Sequence, residues 1–329
     1  MRILIFLLVL CCFYSCVSAQ SNFFNNKDAY LGQPRPNDTP RVFAKQMLVP
    51  DSGIAMGRSA FSANGKEFYY GNSMHWFNAK GNKIRYFKYD DNRWQGPFVL
   101  NYDYSTPTFS VDGRSMYFAG KGDGKHSYVW ISHRNKDGWT DPSVFLKKGY
   151  GLYNFMPTNS RTFYVGSNGD KGNVRDYSTY DFCTLTISKT DTVIKSLGPV
   201  INTPAFDGDF YVAPDESYMI ISYKEKPDYE CELGITFRKP DHSWTAPLNL
   251  GALINDSDAH RWGEYVTPDG KYLIYTKGTS EKDCCLYWVR FDTLKAKLKK
   301  EALGKLLAKL TLFPAHKISN LKHLSLSVA

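Results

Sequence analysis

Three acidic residues in the second half of the chain have side chains suited to hydrolysing a glycosidic bond. Asp207 and Asp209 flank a single glycine, and Glu264 lies further along the chain. A glycosidase needs two carboxyl groups facing each other across the bond that breaks. Nothing in the sequence sets the separation of these groups, and paired acids are common in turns between strands. A carbohydrate-active enzyme using these carboxylates is therefore the alternative, and a non-catalytic protein is the favoured interpretation.

Further polar side chains lie in comparable positions, each shortly before a recurring tight turn. The predicted ligand-binding residues are Arg58, Asp103, Asn154, Asp207, Asp209, His260, Arg261 and Glu264. Acids and arginines that converge on one concave surface can bind a sugar, a peptide or an ion. They can equally form a solvated wall of water-bridged ion pairs. The sequence leaves both interpretations open and assigns no catalytic residue.

The sequence contains no recognisable metal or cofactor motif. The cysteines lack zinc spacing, and residues 168–173 and 207–209 have too few ligands for a calcium loop. There is no Gly-x-Ser-x-Gly elbow and no complete sialidase Asp-box. Five of the seven histidines are scattered through the repeat region, at His75, His126, His133, His242 and His260. We therefore expect neither a metal nor a cofactor.

A repeated strand–turn–strand unit positions the candidate residues. Its turns include Asn64-Gly65, Asp112-Gly113 and Asp269-Gly270, which are strong hairpin signals. The aromatic and β-branched run after each turn is typical of a buried strand. Successive units start 47 to 56 residues apart, the size of one four-stranded propeller blade. The five units begin at Phe61, Phe109, Met156, Val212 and Val266.

These repeats predict an all-β fold, a single propeller of four-stranded blades. Five blades fit the count, and a sixth would require a degenerate unit within residues 167–204. Trp94, Trp139 and Trp244 each begin a Trp-x-x-Pro motif, whose proline suits an edge strand. The segment 43–50 resembles such an edge strand, and we expect it to complete the last blade and close the ring.

The candidate residues lie in or beside the strands that precede the turns. Aligned on a propeller, these strands are the innermost of each blade and line the central channel. They are residues 56–60, 104–108, 151–155, 207–211 and 261–265. The sequence therefore predicts a ligand site at one mouth of the channel.

The repeat units resemble the WD40-like PD40 repeat of TolB-type propellers. The lead-in from Tyr30 to Ala44 is also similar to that of secreted bacterial proteins with such repeats, which are common in Bacteroidetes. The resemblance covers about residues 29–292 and is specific for the fold. It implies a periplasmic or secreted binding module, although relatives include peptidase-associated propellers and lyases acting on uronates. We expect a monomeric binding or scaffold module for a glycan or protein partner.

The N-terminal segment predicts export. Arg2 precedes an apolar run, and Val17-Ser18-Ala19 fits a cleavage site, so residues 1–19 match a signal peptide. Lipidation at Cys16 is the alternative, giving an outer-membrane lipoprotein. Both predict a secreted or periplasmic location. Export would permit a disulfide, although free thiols remain open for Cys183, Cys231, Cys284 and Cys285.

The formal charge of +9 is concentrated at the C-terminus. Residues 295–329 carry eight lysines and one glutamate, so the repeat region is close to neutral. This distribution argues against a nucleic-acid partner. Residues 293–329 predict a basic amphipathic helix that could contact an anionic membrane surface, dock on the propeller or be poorly ordered. The predicted divisions are signal 1–19, lead-in 20–42, propeller 43–292 and tail 293–329.

Overall fold

The computed structural model describes residues 22–49, 53–76, 81–189 and 191–311. The predicted signal peptide with Cys16, and the tail after residue 311, lie outside the described residues. Within them the chain forms five antiparallel sheets that are the blades of a β-propeller. The predicted fold class and blade count are confirmed. The described part of 167–204 belongs to the third blade and to the connection that follows it.

The strands are numbered along the chain, and β1 (Arg41–Val42) belongs to the last blade. Blade 1 contains β2 (Ile54–Phe61), β3 (Glu67–Ser73), β4 (Lys83–Asp90) and β5 (Arg93–Tyr102). Blade 2 contains β6 (Tyr104–Phe109), β7 (Ser115–Gly120), β8 (Ser127–Asn135), the short β9 (Gly138–Trp139) and β10 (Ser143–Lys148). Blade 3 contains β11 (Tyr153–Pro157), β12 (Phe163–Ser167), β13 (Asp181–Ile187) and β14 (Thr192–Ser196).

Blade 4 contains β15 (Phe210–Val212), β16 (Tyr218–Tyr223), β17 (Glu232–Phe237) and β18 (Leu248–Asn249). Blade 5 contains β19 (His260–Val266), β20 (Tyr272–Gly278), β21 (Cys285–Arg290) and β1. The helices are α1 (Lys45–Leu48), α2 (Asp292–Thr311) and 3-10 turns at Asn22–Asn25, Tyr30–Gly32 and Tyr177–Thr179. We call the side where the innermost strands begin the loop face, and the side with the hairpin turns after them the turn face.

The hairpin turns use the residues that the sequence singled out. Gly65, Gly113 and Gly270 have φ between 68° and 72°, a region that favours glycine. The preceding side chain closes each turn, as Asp112 does by accepting bonds from the Ser110 hydroxyl and the Arg114 amide. These side chains are therefore occupied in folding the hairpin.

The fourth turn places Glu216, rather than glycine, in the left-handed region, with φ 58°. Its carboxylate accepts bonds from Thr158 Oγ1 at 2.8 Å, Tyr164 OH at 3.0 Å and Arg238 Nη1 at 3.0 Å. A further bond comes from Ser160. Thr158 and Tyr164 belong to blade 3, so this carboxylate ties blade 3 to blade 4.

Replacing Glu216 with glutamine is expected to lower the free energy of unfolding by about 1–3 kcal/mol, because charge-assisted bonds between two blades are weakened. These bonds hold the pKa of Glu216 below its usual range. Its contribution is therefore present above the unfolded pKa and is lost as the pH falls through the folded pKa. Urea unfolding at pH 7 and pH 3 measures both effects. Asp90→Asn on the surface is the control, and equal stability of the two variants at pH 7 would contradict the clamp.

The ring closes through the N-terminal part of the chain, as predicted, but at a different segment. Strand β1 pairs antiparallel with β21, and the Phe43 amide donates to the Leu286 carbonyl at 2.8 Å. The prediction of an edge strand over 43–50 is wrong, since α1 lies within it. Ala44 has a φ of 46°, which turns the chain so that Phe43 and Leu48 enter the core.

The N-terminal segment covers the turn face of blades 1 and 5. Tyr30 OH donates to Asp269 Oδ2 at 2.6 Å in the last turn. Tyr89 OH and Trp94 Nε1 of blade 1 donate to Asp28, at 2.9 and 2.7 Å. Burial of Phe24 and Tyr30 adds apolar contact at the same place. A binding site is therefore expected on the loop face.

Helix α2 confirms the predicted C-terminal helix and docks on the propeller beside β17. Leu298 and Ala302 are buried in the main core, while Leu303 is exposed. The Lys295 ammonium lies 4.8 Å from the centroid of the Tyr218 ring. No helix in the described part of the chain combines the length and apolarity needed to cross a bilayer.

Candidate functional site

The innermost strands are β2, β6, β11, β15 and β19, and each contacts the next around the ring. They coincide with the strands predicted to line the channel, except that blade 4 starts late. Strand β15 begins at Phe210, so Asp207 and Asp209 lie in the connection just before it. The channel is thus bounded by segments far apart in sequence.

Four of the five inner strands carry a β-bulge at a similar level. Their register shifts fall after Met56, Ser105, Tyr153 and Trp262. The next residue in each has positive φ; these are Gly57, Thr106, Asn154 and Gly263. A side chain on Gly263 would meet the backbone of Gly57, so blades 5 and 1 touch backbone to backbone here. Bulges re-aim the following side chains, among them Arg58 and Glu264.

Arg58 reaches from blade 1 to two other blades and is only 1% exposed. Its Nη1 donates to Thr108 Oγ1 on β6 at 3.1 Å, and its Nη2 donates to the Phe210 carbonyl on β15 at 2.6 Å. Burial lowers the pKa of Arg58 to about 10, and the negative charges of Glu264 and Asp209 oppose this shift. Arg58 therefore acts as a charged cross-link at the centre of the ring.

Asp209 and Asn154 join blades 3 and 4 beside Arg58. The Asn154 amide donates to Asp209 Oδ1 at 2.6 Å and to the Gly208 carbonyl at 3.1 Å. Tyr153 OH lies 3.4 Å from the same carboxylate oxygen. Burial raises the pKa of Asp209, while Asn154 and Arg58 pull it down. This carboxylate is 4% exposed.

Glu264 is fully buried at the junction of blades 4 and 5. Its Oε1 accepts a 2.5 Å bond from the Ser222 hydroxyl, and its Oε2 has no hydrogen-bond partner among the described residues. Burial raises the pKa of Glu264, and the negative charge of Asp209 raises it further. Two carboxyl groups thus share one cationic neighbour, Arg58, in a desolvated site.

The other four predicted residues lie outside this cluster. Asp207 accepts bonds from the Thr203 amide at 2.5 Å and the Thr203 hydroxyl at 3.2 Å, and burial raises its pKa to about 7. His260 packs 4.1 Å from the Trp262 ring, and burial lowers its pKa to about 4. Arg261 is bonded to backbone carbonyls of the preceding connection. Asp103 is half exposed, 4.0 Å from Lys121.

Aromatic side chains fill the space between the carboxylates and the turn face. Tyr211 on β15 and Tyr265 on β19 are both buried, with ring centroids 6.2 Å apart. The Tyr265 hydroxyl accepts a hydrogen bond from the Phe61 amide at 2.9 Å and donates one to the Phe61 carbonyl at 3.2 Å. Asp209 and Glu264 therefore face a packed interior, where substrate cannot reach them in this conformation.

The loop face presents an aromatic surface beside Asp209 that the sequence reasoning missed. The rings of Tyr177 and Tyr180 stack at 4.9 Å, and Phe206 lies 5.7 Å from Tyr180 and 5.5 Å from Tyr153. Tyr177 is 52% exposed, Phe206 and Tyr153 are half-buried, and Tyr180 is buried beneath them. We call these four residues the aromatic platform. The feature of the sequence that could have indicated the platform is the pair Tyr177 and Tyr180, in the long insertion between the third and fourth turns.

Glu225 lies half-buried on the connection after β16, close enough to Asp207 and Asp209 for their charges to act on it. Burial raises the pKa of Glu225 to about 8, and the negative charges of Asp209 and Asp207 add to the rise. This carboxyl can therefore donate or accept a hydrogen bond near neutral pH. The platform thus combines one exposed ring, that of Tyr177, with half-buried rings and a carboxyl group of variable protonation.

The four cysteines of the propeller are buried free thiols. Burial raises their pKa values, that of Cys284 to about 12, so they are not poised as nucleophiles. In the described part of the chain, no three or more histidine, cysteine, aspartate or glutamate side chains are grouped to hold a metal ion. The described residues thus place neither a disulfide nor a metal centre at the channel.

Fold and site together define a five-bladed propeller with a closed polar channel and an aromatic loop face. No protein-family model matches the chain, and no curated protein sequence does. Among solved structures it is similar to TolB from Acinetobacter baumannii, with 11% identity and a TM-score of 0.43, over 70% of this chain and 53% of that one. This chain thus spans about half of that TolB.

Two further similar structures are described as lactonases. The periplasmic gluconolactonase of Pseudomonas aeruginosa has 9% identity and a TM-score of 0.39, over 67% of this chain and 64% of that one. A putative 6-phosphogluconolactonase from Bacteroides fragilis has 14% identity and a TM-score of 0.39, over 67% and 79%. The blade assignment itself rests on the strand topology described above.

Proposed function

We propose that this propeller is a non-catalytic binding module that recognises a glycan through its loop face. The observation that carries the proposal is the aromatic platform beside Asp209 and Glu225. The exposed Tyr177 ring can stack on the apolar face of a sugar, and the half-buried Glu225 carboxyl can accept a bond from a sugar hydroxyl. Tyr153 and Phe206 are half-buried, so their rings are held in place before a ligand arrives.

The location proposed for this activity is outside the cytoplasm, in the periplasm or secreted. The predicted signal peptide supports export. The alternative is an exported protein anchored to the outer membrane by a lipid on Cys16. A protein partner on the same face is the other occupant to test. We propose a monomer, because the ring is closed within one chain by β1.

A carbohydrate-active enzyme is the second candidate, and the raised pKa values of Asp209 and Glu264 favour it, since catalytic acids often show such shifts. Their burial opposes it. A hydrolysis and elimination screen on polysaccharides, with Asp209→Asn and Glu264→Gln, separates the candidates. Turnover that both variants lose would favour the enzyme and sink the binding-only proposal.

Removing a platform ring is expected to weaken glycan binding. Tyr177→Ala and Phe206→Ala should each reduce affinity about 2- to 12-fold, because a stacked ring contributes about 0.5–1.5 kcal/mol. A glycan array on the mature protein identifies the ligand, and titration calorimetry then measures the affinity. Tyr102→Ala is the matched control, since Tyr102 is an exposed tyrosine at the end of β5, the outer strand of blade 1.

The control decides how the result is interpreted. Affinity that falls in the platform variants but not in Tyr102→Ala supports the proposal. Equal losses in all three, or none, would move the site away from the platform. A protein captured by the parent chain and lost in Phe206→Ala would replace the glycan by a protein partner.

A further inference from the structure

Three arginines from separate segments converge on an open cavity that none of the inner strands lines. Arg35 comes from the N-terminal segment, Arg41 from β1 and Arg290 from the end of β21. The cavity has a volume of about 370 Å³ and is completed by Asn37, Asp38 and Thr293. We call it the arginine cavity. The glycan proposal does not involve it.

Two of the three guanidinium groups are held in place by the protein. Arg35 Nη2 donates to the carbonyls of Phe24 at 3.0 Å and Asn26 at 2.9 Å. Arg290 Nε and Nη2 donate to the Asp292 carboxylate at 2.6 and 2.8 Å. For Arg35 Nε and Nη1 and for Arg290 Nη1, the described residues supply no acceptor. Fixed guanidinium groups lose little rotamer freedom when a ligand binds.

Arg41 is the free member of the group. Its side chain is exposed, and it forms no ion pair or side-chain hydrogen bond with the described residues. Asp292 is committed to Arg290, which leaves Asp38 as the other acid in the cavity wall. The cavity therefore retains positive charge, with one uncommitted guanidinium beside two that the protein holds in place.

We propose that the arginine cavity binds a phosphoryl group. Guanidinium forks match the oxygen spacing of phosphate and bind it through charge-assisted pairs. The volume of about 370 Å³ leaves room beside a phosphoryl group for a larger molecule that carries it. The chemistry is shared by a phosphorylated soluble ligand and a phospholipid head group.

The helix that begins at the cavity bears on the source of the phosphoryl group. Helix α2 uses Leu298 and Ala302 to dock on the propeller, so these apolar side chains are unavailable for insertion into a bilayer. Its exposed lysines include Lys297, Lys299 and Lys300. Contact of the basic tail with an anionic membrane would therefore be electrostatic and would fall with added salt.

Titration calorimetry with inorganic phosphate at low salt tests the site directly. Arg41→Gln should weaken phosphate binding at least about 10-fold, because Arg41 is the member of the group whose guanidinium is not committed to a protein acceptor. Arg93→Gln removes another exposed arginine, at the start of β5, and should leave the affinity unchanged. Equal binding by the parent and Arg41→Gln, or an equal loss in Arg93→Gln, would overturn the proposal.

Vesicle co-sedimentation separates the two sources. Binding to phosphatidylglycerol but not phosphatidylcholine vesicles, lost in Arg41→Gln and displaced by phosphate, identifies a lipid head group. Absent vesicle binding together with intact phosphate binding identifies a soluble phosphorylated ligand. Vesicle binding that survives in Arg41→Gln and is indifferent to phosphate would overturn the cavity as the lipid site.

Discussion

Replacing Arg261 with methionine is expected to lower the free energy of unfolding by about 3–5 kcal/mol. The side chain is 1% exposed. It donates to the Ile254 carbonyl at 3.0 Å, the Ser257 carbonyl at 2.8 Å and the Cys231 carbonyl at 2.8 Å. Each buried carbonyl left without a donor costs about 1–3 kcal/mol. Arg261 thereby fastens the connection between blades 4 and 5.

A lysine at this position separates charge from geometry. Arg261→Lys keeps the positive charge near Asp256 but cannot present the planar fork that reaches several carbonyls. We expect Arg261→Lys to recover less than half of the stability that Arg261→Met loses. Urea unfolding followed by tryptophan fluorescence measures both variants, with exposed Arg114→Gln as the control. Parent-like unfolding midpoints in both Arg261 variants would contradict the structural role and return Arg261 to the list of ligand-binding candidates.

The second large effect is a loss of stability as the pH rises through neutrality. Burial raises the pKa of Glu225 to about 8 and that of Asp207 to about 7, and it also raises the pKa values of Asp209 and Glu264. Each of these carboxyl groups therefore binds its proton more tightly in the folded state than in the unfolded state. The stability that these groups contribute is fully present below their unfolded pKa values and is lost as the pH rises through their folded pKa values.

His260 acts in the opposite direction at lower pH. Its pKa is lowered to about 4, so the unfolded state binds its proton first and stability rises with pH between about 4 and 6.5. Between pH 6.5 and 9 His260 no longer contributes, but the four buried thiols, whose pKa values burial raises, lower the stability in the same direction as the carboxyl groups, so a carboxyl variant is needed to separate the two. We expect the free energy of unfolding to fall by about 1–3 kcal/mol across this range.

Glu264→Gln should flatten this decline, because glutamine cannot ionise in the buried site. Chemical unfolding at several pH values between 6.5 and 9 measures the slope. Glu281→Gln is the control, since Glu281 is exposed and its bonds to Trp76 and His75 lower its pKa, away from this window. A parent slope that rises with pH, or one that Glu264→Gln leaves unchanged, would show that the channel carboxyls ionise freely.

The repeated turns could be recognised in the sequence because they are local. Asn64-Gly65, Asp112-Gly113 and Asp269-Gly270 form hairpins through neighbouring atoms, so their residue types and period indicate both strand and blade. The same locality predicted the inner strands and the C-terminal helix. The sequence predicted that a strand near the N-terminus closes the ring, but not where that strand lies. The left-handed backbone at Ala44 and the burial of Phe43 decide where the strand ends.

The roles of the polar residues depend on contacts between segments far apart in the chain, and the tertiary structure alone decided them. Arg58 meets Thr108 and Phe210, and Asn154 meets Asp209, across blade boundaries. No local pattern encodes whether such a side chain faces solvent or a packed interior, because bulges re-aim it and neighbouring blades bury it. The sequence alone thus determined a five-unit propeller with polar inner strands. The fold decided that the acids proposed for chemistry are buried in the channel and that an aromatic platform with the exposed Tyr177 ring lies beside its mouth.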